Sequence, residues 1–450
     1  MRLRQLQSRL CPAVKYGLVL SIVVGGVASL SAATTDDTSL LPPKPKWLTE
    51  ASLTIKESYD DNIFLTDYEL THVASPIAGS AAASAKKASW VTTLSPKVVF
   101  DFAPLLSPDP KGLVRSLTLG YLPEFARYHD ATTESYSAQR VSTGLKIKSG
   151  DVTLTADNLF SYIDGSAYGP SYNGKLNNAF VSSVVRDRRE QVQDKANAAL
   201  QYDQECWFIR GVGMVQNFNM LVKADANANY VNYVDRYDRN FGGDLGYKVT
   251  TNFALTFGYR AGEQHQDQVI GSALSASSEY QRLLLGMEGK PTKWLTVKLQ
   301  AGPDFRHYED RMAVKDANPV TFYADGSLEA KVSAKDTVGL KYKQGRSVSS
   351  TGKSATEESA LELNYAHKLT DQMTALLGGR VARADYRASM AQTRDDCEYT
   401  VNAGLRYAFT PNLSAELGYM AEMGRDVTTD YKDTRTFDRN VTSLSVTIKY

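Results

Sequence analysis

The sequence predicts an all-β chain, a transmembrane antiparallel up-and-down β-barrel of about 18 strands with short turns on one side and longer loops on the other. Three observations predict it. An export-type leader opens the chain, a two-residue alternation of apolar and polar side chains recurs from Trp47 to Tyr450, and tight turns alternate with long polar connections. Length alone is neutral, since 450 residues fit either about three soluble domains or one barrel. Composition is less so. With 42% hydrophobic and 22% charged residues the chain is neither disordered nor a bundle of membrane-spanning helices. Tyr 26 and Gly 31, against three Cys and five His, favour extended structure over a metal or thiol enzyme. A net charge of +1 lacks the clustered basic excess that holds nucleic acid.

The leader comes first. Arg2, Arg4, Arg9 and Lys15 precede an apolar run from Gly17 to Leu30, and Ser31-Ala32-Ala33 supplies the small residues at which a signal peptidase cuts. Residues 1–33 therefore read as a signal peptide, because the apolar run is shorter than the ~20 residues of a spanning helix. They hold four basic and no acidic residues, so cleavage after Ala33 turns the net charge from +1 to −3. Cys11 precedes the apolar run instead of following it, which argues against lipidation. Residues 34–46, with Leu41-Pro42-Pro43-Lys44-Pro45-Lys46, read as a Pro-rich periplasmic linker, and residues 47–450 as the barrel.

The strands follow in order. In the last of them Leu444, Val446, Ile448 and Tyr450 alternate with Ser443, Ser445, Thr447 and Lys449, and residues 253–260, 295–301 and 328–334 repeat the pattern. Such runs lie near 47–65, 89–103, 116–130, 137–149, 151–165, 190–205, 206–221, 233–249, 252–267, 277–290, 294–310, 321–335, 337–349, 356–369, 372–388, 398–410, 412–428 and 438–450. Their number, 18, is even and returns both termini to the short-turn side. Residues 190–205 are the ambiguous run, since their Ala-rich stretch would also suit a short helix. Tight turns fall at Lys148-Ser149-Gly150-Asp151, Val249-Thr250-Thr251-Asn252, Lys290-Pro291-Thr292-Lys293, Lys335-Asp336-Thr337, Leu369-Thr370-Asp371-Gln372 and Thr410-Pro411-Asn412. The long connections are 66–88, 166–189, 222–232, 311–320 and 429–437, of which 66–88 and 166–189 are long enough to fold inward as a constriction.

Alternation suits a soluble sandwich equally well, so the environment of the apolar face needs its own argument. The runs, at 13 to 19 residues, exceed the ~5–6 of ordinary strands and the ~9–11 that cross a bilayer when tilted. Aromatic residues mark one rim. Trp47, Trp207, Phe253 and Trp294 begin odd runs while Phe102, Tyr202, Tyr247, Phe409 and Tyr450 end even ones, which places all nine at the level of a periplasmic aromatic girdle. Tyr450 closing an alternating strand is similar to the C-terminal signal of outer-membrane barrels, so the barrel-insertion machinery and outer-membrane lipid are the expected partners. Hydrocarbon offers no partner to a backbone N–H or C=O, so a sheet placed there must close on itself.

At Tyr59-Asp60-Asp61-Asn62-Ile63-Phe64, the end of the first run, the chain resembles the putative β-barrel porin 2 family of outer-membrane proteins, and the resemblance extends over about Trp47 to Tyr450. What it implies is a Gram-negative outer-membrane channel, in some members associated with exopolysaccharide production. It names no substrate.

No P-loop, dinucleotide fingerprint, His-Glu-x-x-His or Cys-x-x-Cys occurs, and Gly211-Val212-Gly213-Met214 lacks a third glycine, so no cofactor is expected. His129 beside Asp130, with Ser135 nearby, reads as a solvated rim histidine because nothing orients it against a nucleophile. His307, Glu309 and Asp310, and likewise Asp60, Asp61 and Asn62, are rich in ligand atoms but lack a defined metal spacing. Cys206 and Cys397 fall on opposite rims and should stay unpaired.

What remains is the wet face, which in so wide a barrel lines an aqueous lumen. By alternation the pore-lining set holds Lys97, Lys146, Lys148, Lys248, Arg260, Arg282, Lys298, Arg306, Lys331, Lys341, Lys343, Arg380, Arg406 and Lys449, with Asp101, Asp157, Asp244, Glu288, Asp304, Glu329, Glu362 and Glu416. That is 14 basic against eight acidic groups. Either the charges pair across strands and stiffen the wall, or the surplus gives a weak anion preference. The resulting expectation is passive diffusion of small hydrophilic solutes through an outer-membrane channel without cofactor or covalent chemistry. Two rivals stay open, an occluded barrel serving as a structural or surface-binding protein and a barrel hydrolase built on His129.

Overall fold

In a computed structural model the described residues are 44–450, apart from 64, 66–85, 108, 110, 166–189, 222–234, 269–274, 310–315, 349–354, 387–393 and 427–436. The expected signal peptide, most of the linker, Phe64, Asp310 and nearly all of the connections 66–88 and 166–189 lie outside the described residues.

Among the described residues nineteen strands follow one another, β1 Leu48–Asp60, β2 Ser89–Asp101, β3 Val114–Tyr121, β4 Glu124–Tyr128, β5 Tyr136–Ser149, β6 Val152–Asp164, β7 Gln191–Asp203, β8 Trp207–Met220, β9 Arg236–Thr250, β10 Phe253–Gln266, β11 Ser278–Gly289, β12 Leu295–Tyr308, β13 Val320–Lys331, β14 Asp336–Val348, β15 Ala355–Lys368, β16 Met373–Tyr386, β17 Arg394–Thr410, β18 Leu413–Asp426 and β19 Phe437–Lys449. All belong to one antiparallel sheet, and β1 pairs with both β2 and β19, so the sheet closes into a barrel. Closure removes the two unpaired edges that a lipid environment would leave unsatisfied.

β3 and β4 share one place in the wall, because each pairs with β2 on one side and β5 on the other. Nineteen strands thus occupy eighteen positions, and the single run expected at 116–130 is corrected to two strands. The break falls at Leu122-Pro123, where proline has no N–H to give the ladder. The connection from β2 to β3 contains a four-residue helix, α1 Ala103–Leu106, with a proline in its first turn.

The ambiguous run near 190–205 forms β7, in register with β6 from Val152↔Tyr202 to Ile163↔Gln191. Two flanking ladders satisfy its backbone, and that outweighs the helical preference of its alanines. Among the tight turns, Gly150 has φ +56° and Gly289 has φ +113°, and a Cβ at 289 would stand 2.0 Å from the Asn252 carbonyl oxygen. Glycine is required there.

The two faces separate as the alternation requires. Leu444 and Ile448 of β19 are exposed, whereas Ser443, Ser445 and Thr447 between them are half-buried. Phe241 is 70% and Leu285 69% exposed, values that would be a liability in water and are expected where the solvent is lipid. Among the described residues, buried apolar side chains form small clusters, such as Ile63, Val91, Ala126, Tyr128 and Ala131 near outer strand ends. The interior is polar.

Candidate channel interior

Because side chains alternate along each strand, the register fixes which residues share the inner face. Lys298 stands opposite Glu288, Lys341 opposite Glu362 and Arg406 opposite Glu416, so charges predicted for one face do share it. Several pair directly. Arg406 lies 2.7 Å from Glu416, Lys341 3.5 Å from Glu362, Lys343 3.8 Å from Asp325, Lys97 2.6 Å from Glu50 and Arg380 2.5 Å from Glu398. Asn197 Nδ2 donates to Asp157 at 2.7 Å. Lys146 and Lys148 of β5 face the same cavity of about 940 Å³ as Lys298 of β12 and Arg380 of β16, from widely separated parts of the wall.

A denser arrangement occupies the strands from β8 to β12. Arg210 of β8 bonds Asp244 of β9 at 2.9 Å and reaches past β10 to Glu288 of β11 with two bonds of 2.9 Å. Arg260 holds the other oxygen of Asp244 at 2.7 Å. Asp304 of β12 accepts from Arg282 at 2.9 Å and from Arg306 at 3.0 Å. Arg282 lies between the rings of Tyr280 and Tyr323, 4.1 and 4.2 Å from their centroids, while Tyr280 donates to Asp238 at 2.7 Å. Asp304 and the Arg306 side chain are fully buried, and Asp244 and Arg282 nearly so. These four were expected on the wall of an open lumen and sit instead inside a packed polar network.

The cause is an indentation of the wall. Gln264 of β10 donates to the Arg346 carbonyl of β14 at 3.2 Å, although three strands separate β10 from β14 in the sheet. Arg236 of β9, stacked 3.9 Å over Phe218, likewise donates to the Val348 carbonyl at 3.0 Å. Side chains on β11 to β13 are thereby shut into a lobe. Sequence reasoning missed Arg210, Arg236 and Gln264. The first two share the predicted inner phase of their strands, but apolar inward neighbours such as Phe208 and Phe218 masked them.

Other predicted members lie at the short-turn rim. Asp101 Oδ1 accepts from the Ala103 and Leu117 N–H groups at 2.9 and 3.0 Å, tying α1 to β3 rather than facing the lumen. Lys248 donates to the Gln204 carbonyl at 2.6 Å and pairs with Asp203 at 3.0 Å. Glu329, Lys331 and Lys449 are exposed near the ends of β13 and β19.

The aromatic residues gather at that rim. Trp47, Tyr202, Trp207, Tyr247, Trp294 and Phe409 are exposed, and Phe102, Phe253 and Tyr450 half-buried. Trp207 pairs in register with Tyr247 and packs edge-on against Tyr202 at 6.1 Å. Phe100 and Tyr407, not singled out from the sequence, extend the group by packing on Trp47 and Phe102 and on Phe409.

The motif at the end of β1 joins the first strand to the last. Asp60 takes two bonds from Arg439 of β19, at 3.0 and 2.7 Å, and Arg439 also bonds Glu422 of β18 at 2.8 Å. Asp61 accepts from the Asn440 backbone N–H at 2.7 Å and from its side chain at 2.8 Å. Asn62 donates to the Asp438 carbonyl at 2.9 Å and is fully buried, while Tyr59 packs outside against Trp90. The atoms considered for a cation are engaged in closing the barrel.

His129 Nε2 lies 2.8 Å from Thr92 Oγ1 and 3.8 Å from Glu57, whose other oxygen takes the Thr92 proton at 2.6 Å. Ser135 Oγ accepts from the Tyr128 N–H at 3.1 Å and so is turned to the backbone. His307 Nδ1 meets Asn318 at 2.6 Å. Among the described residues no three His, Cys, Asp or Glu side chains are grouped to hold a metal ion. Cys206 is an exposed free thiol, and Cys397 is buried.

No curated protein matches the chain by sequence. Solved structures similar to it include OpdQ of Pseudomonas aeruginosa, at 11% identity over 89% of this chain and 98% of that one, with a TM-score of 0.42. OccK3 (OpdO) of the same organism has 13% identity over 89% and 95%, with a TM-score of 0.42. OccAB3 of Acinetobacter baumannii has 12% identity over 89% and 99%, with a TM-score of 0.41. The family model described as putative beta-barrel porin 2 matches residues 235–450, which form the wall from β9 to β19. The matched stretch, residues 235–450, is just under half of the chain, and the family is the one that the motif closing β1 resembles.

Proposed function

We propose that this chain is an outer-membrane channel through which small hydrophilic solutes diffuse passively, with the charged inner phase as its wall. One observation carries the reading. A closed sheet turns its apolar phase outward and its charges inward, around cavities of about 940 and 480 Å³. The same reading takes residues 1–33 as the export signal, Tyr450 and its strand as the insertion signal, the rim aromatics as the periplasmic girdle and outer-membrane lipid as the outer contact. It assigns no cofactor and no covalent chemistry. A link to exopolysaccharide export enters only as something the family resemblance implies.

The test is recording from the refolded full chain in planar bilayers, preceded by heat-modifiable gel migration to establish that the barrel has folded. Stepwise conductance in KCl is the expected result. A folded barrel without conductance would overturn the reading in favour of an occluded barrel with a structural or surface-binding role. The observation favouring that second reading is the contact of β10 and β9 with β14, which narrows the interior.

A further inference from the structure

We propose that the indented wall forms a binding subsite for small, multiply charged oxyanions. The channel reading explains how such a solute arrives; binding itself rests on the side chains alone.

The site is a cavity of about 480 Å³, within the ~300–1,000 Å³ that accommodates small ligands. Its lining holds seven basic side chains against three acidic ones. Some of that charge is committed: Arg260 to Asp244 at 2.7 Å, Arg282 to Asp304 at 2.9 Å and Lys343 to Asp325 at 3.8 Å. Lys195 of β7 and Lys298 of β12 also line it, are exposed to its interior, and form no ion pair among the described residues.

Two features make this more than a basic surface. The cations converge from strands β7, β9, β10, β11, β12 and β14, brought around one space by the contacts that bend the wall. Like charges confined together repel, and partial exclusion of water strengthens the repulsion. A chloride ion offers each ammonium the same single charge that bulk salt offers. An anion with several charged oxygens answers both free lysines from one place and relieves the repulsion that the fold creates.

The second feature is rigidity. Arg282 is clamped between Tyr280 and Tyr323 and tethered by Asp304, so its guanidinium cannot swing away from the cavity. A fixed guanidinium presents planar donors suited to phosphate or carboxylate oxygens, whereas the flexible lysines adjust to the outline of the solute. Preorganised and adaptable donors meet in one site.

The test uses the refolded full chain in detergent and sodium tripolyphosphate as the probe, with binding followed by titration calorimetry at fixed ionic strength. The wild type is expected to bind tripolyphosphate at least tenfold more tightly than chloride. The double variant Lys195→Gln, Lys298→Gln, confirmed as folded by heat-modifiable migration, is expected to bind it at least tenfold more weakly than the wild type. Lys111→Gln, a change in the connection before β3, should leave the affinity unaltered. Equal affinity in the double variant, or no preference over chloride, would overturn the proposal. KCl conductance of the same preparation separates the two claims. Conductance without tripolyphosphate binding rejects the subsite and keeps the channel, while binding without conductance rejects the channel and keeps the subsite.

Discussion

Replacing Arg439 with methionine removes a side chain that bridges Asp60 of β1 and Glu422 of β18 across β19. Asp60 and Glu422 are 3% and 8% exposed, so the change leaves two carboxylates largely cut off from water. Breaking a buried pair in this way costs about 3–5 kcal/mol, because the abandoned charge stays desolvated. Arg439 itself keeps a fifth of its side chain in solvent, which favours the lower end, about 3 kcal/mol. A matched control is Arg383→Met. Its partner is Asp395, but more than half of the Arg383 side chain is exposed, so the expected loss is below about 1 kcal/mol. Equilibrium unfolding in urea, followed by heat-modifiable migration in detergent, measures both. The reasoning fails if Arg439→Met costs no more than Arg383→Met, since the bond between first and last strands would then be an ordinary solvated rim pair.

Three further expectations follow from local geometry. Gly289→Ala forces a side chain into φ +113° and against the Asn252 carbonyl, and should cost more than about 2 kcal/mol, whereas Gly211→Ala, with nothing within 4 Å of its added methyl, should be near neutral in the same unfolding assay. In the folded barrel a maleimide reagent should modify Cys206 rapidly and Cys397 only after denaturation, and equal rates would contradict the burial assigned to Cys397. Gln264→Ala removes bonds to the Arg346 carbonyl, Asp238 and Arg306, so β10 is expected to retreat from β14 and single-channel conductance in KCl to rise. A folded variant of unchanged conductance would show that the β-ladder alone fixes the indentation.

The strand plan was legible because a bilayer punishes phase errors. A basic side chain turned to mid-bilayer lipid costs ~2–4 kcal/mol, so Lys298, Lys341 and Arg406 had to share a phase with serines and threonines. Turn chemistry at Gly150 and Pro411 then divided the chain into hairpins. What the sequence hid is what depends on the shape of the closed wall. Asp60 meets Arg439 379 positions away, and only closure makes them neighbours. Read locally, Asp60, Asp61 and Asn62 were rich in ligand atoms but had no defined metal spacing; in register with β19 they form a latch. Gln264 and Arg236 look like ordinary inward residues until the wall bends far enough to bring β14 within their reach. Pro123 was visible throughout, yet a proline inside an alternating run marks a break only if its missing N–H is needed by the ladder, which requires knowing both neighbours.

The polarity of the interior also explains why ion pairs rather than apolar packing fix the wall's outline. A water-soluble domain can fill its centre with Leu and Phe, but this barrel has turned those residues outward, and its large interior is left to side chains that water solvates. Contacts there must outcompete water, and paired charges do so best where several converge and exclude it, as Arg282, Asp304 and Arg306 do. The indentation at β10 and β14 creates that exclusion locally while the rest of the inner face stays wet. Rigidity and narrowing therefore have one cause. Side chains that loosen the network should widen the passage, and those that tighten it should restrict flow, so stability and conductance are expected to move in opposite directions along β8 to β14.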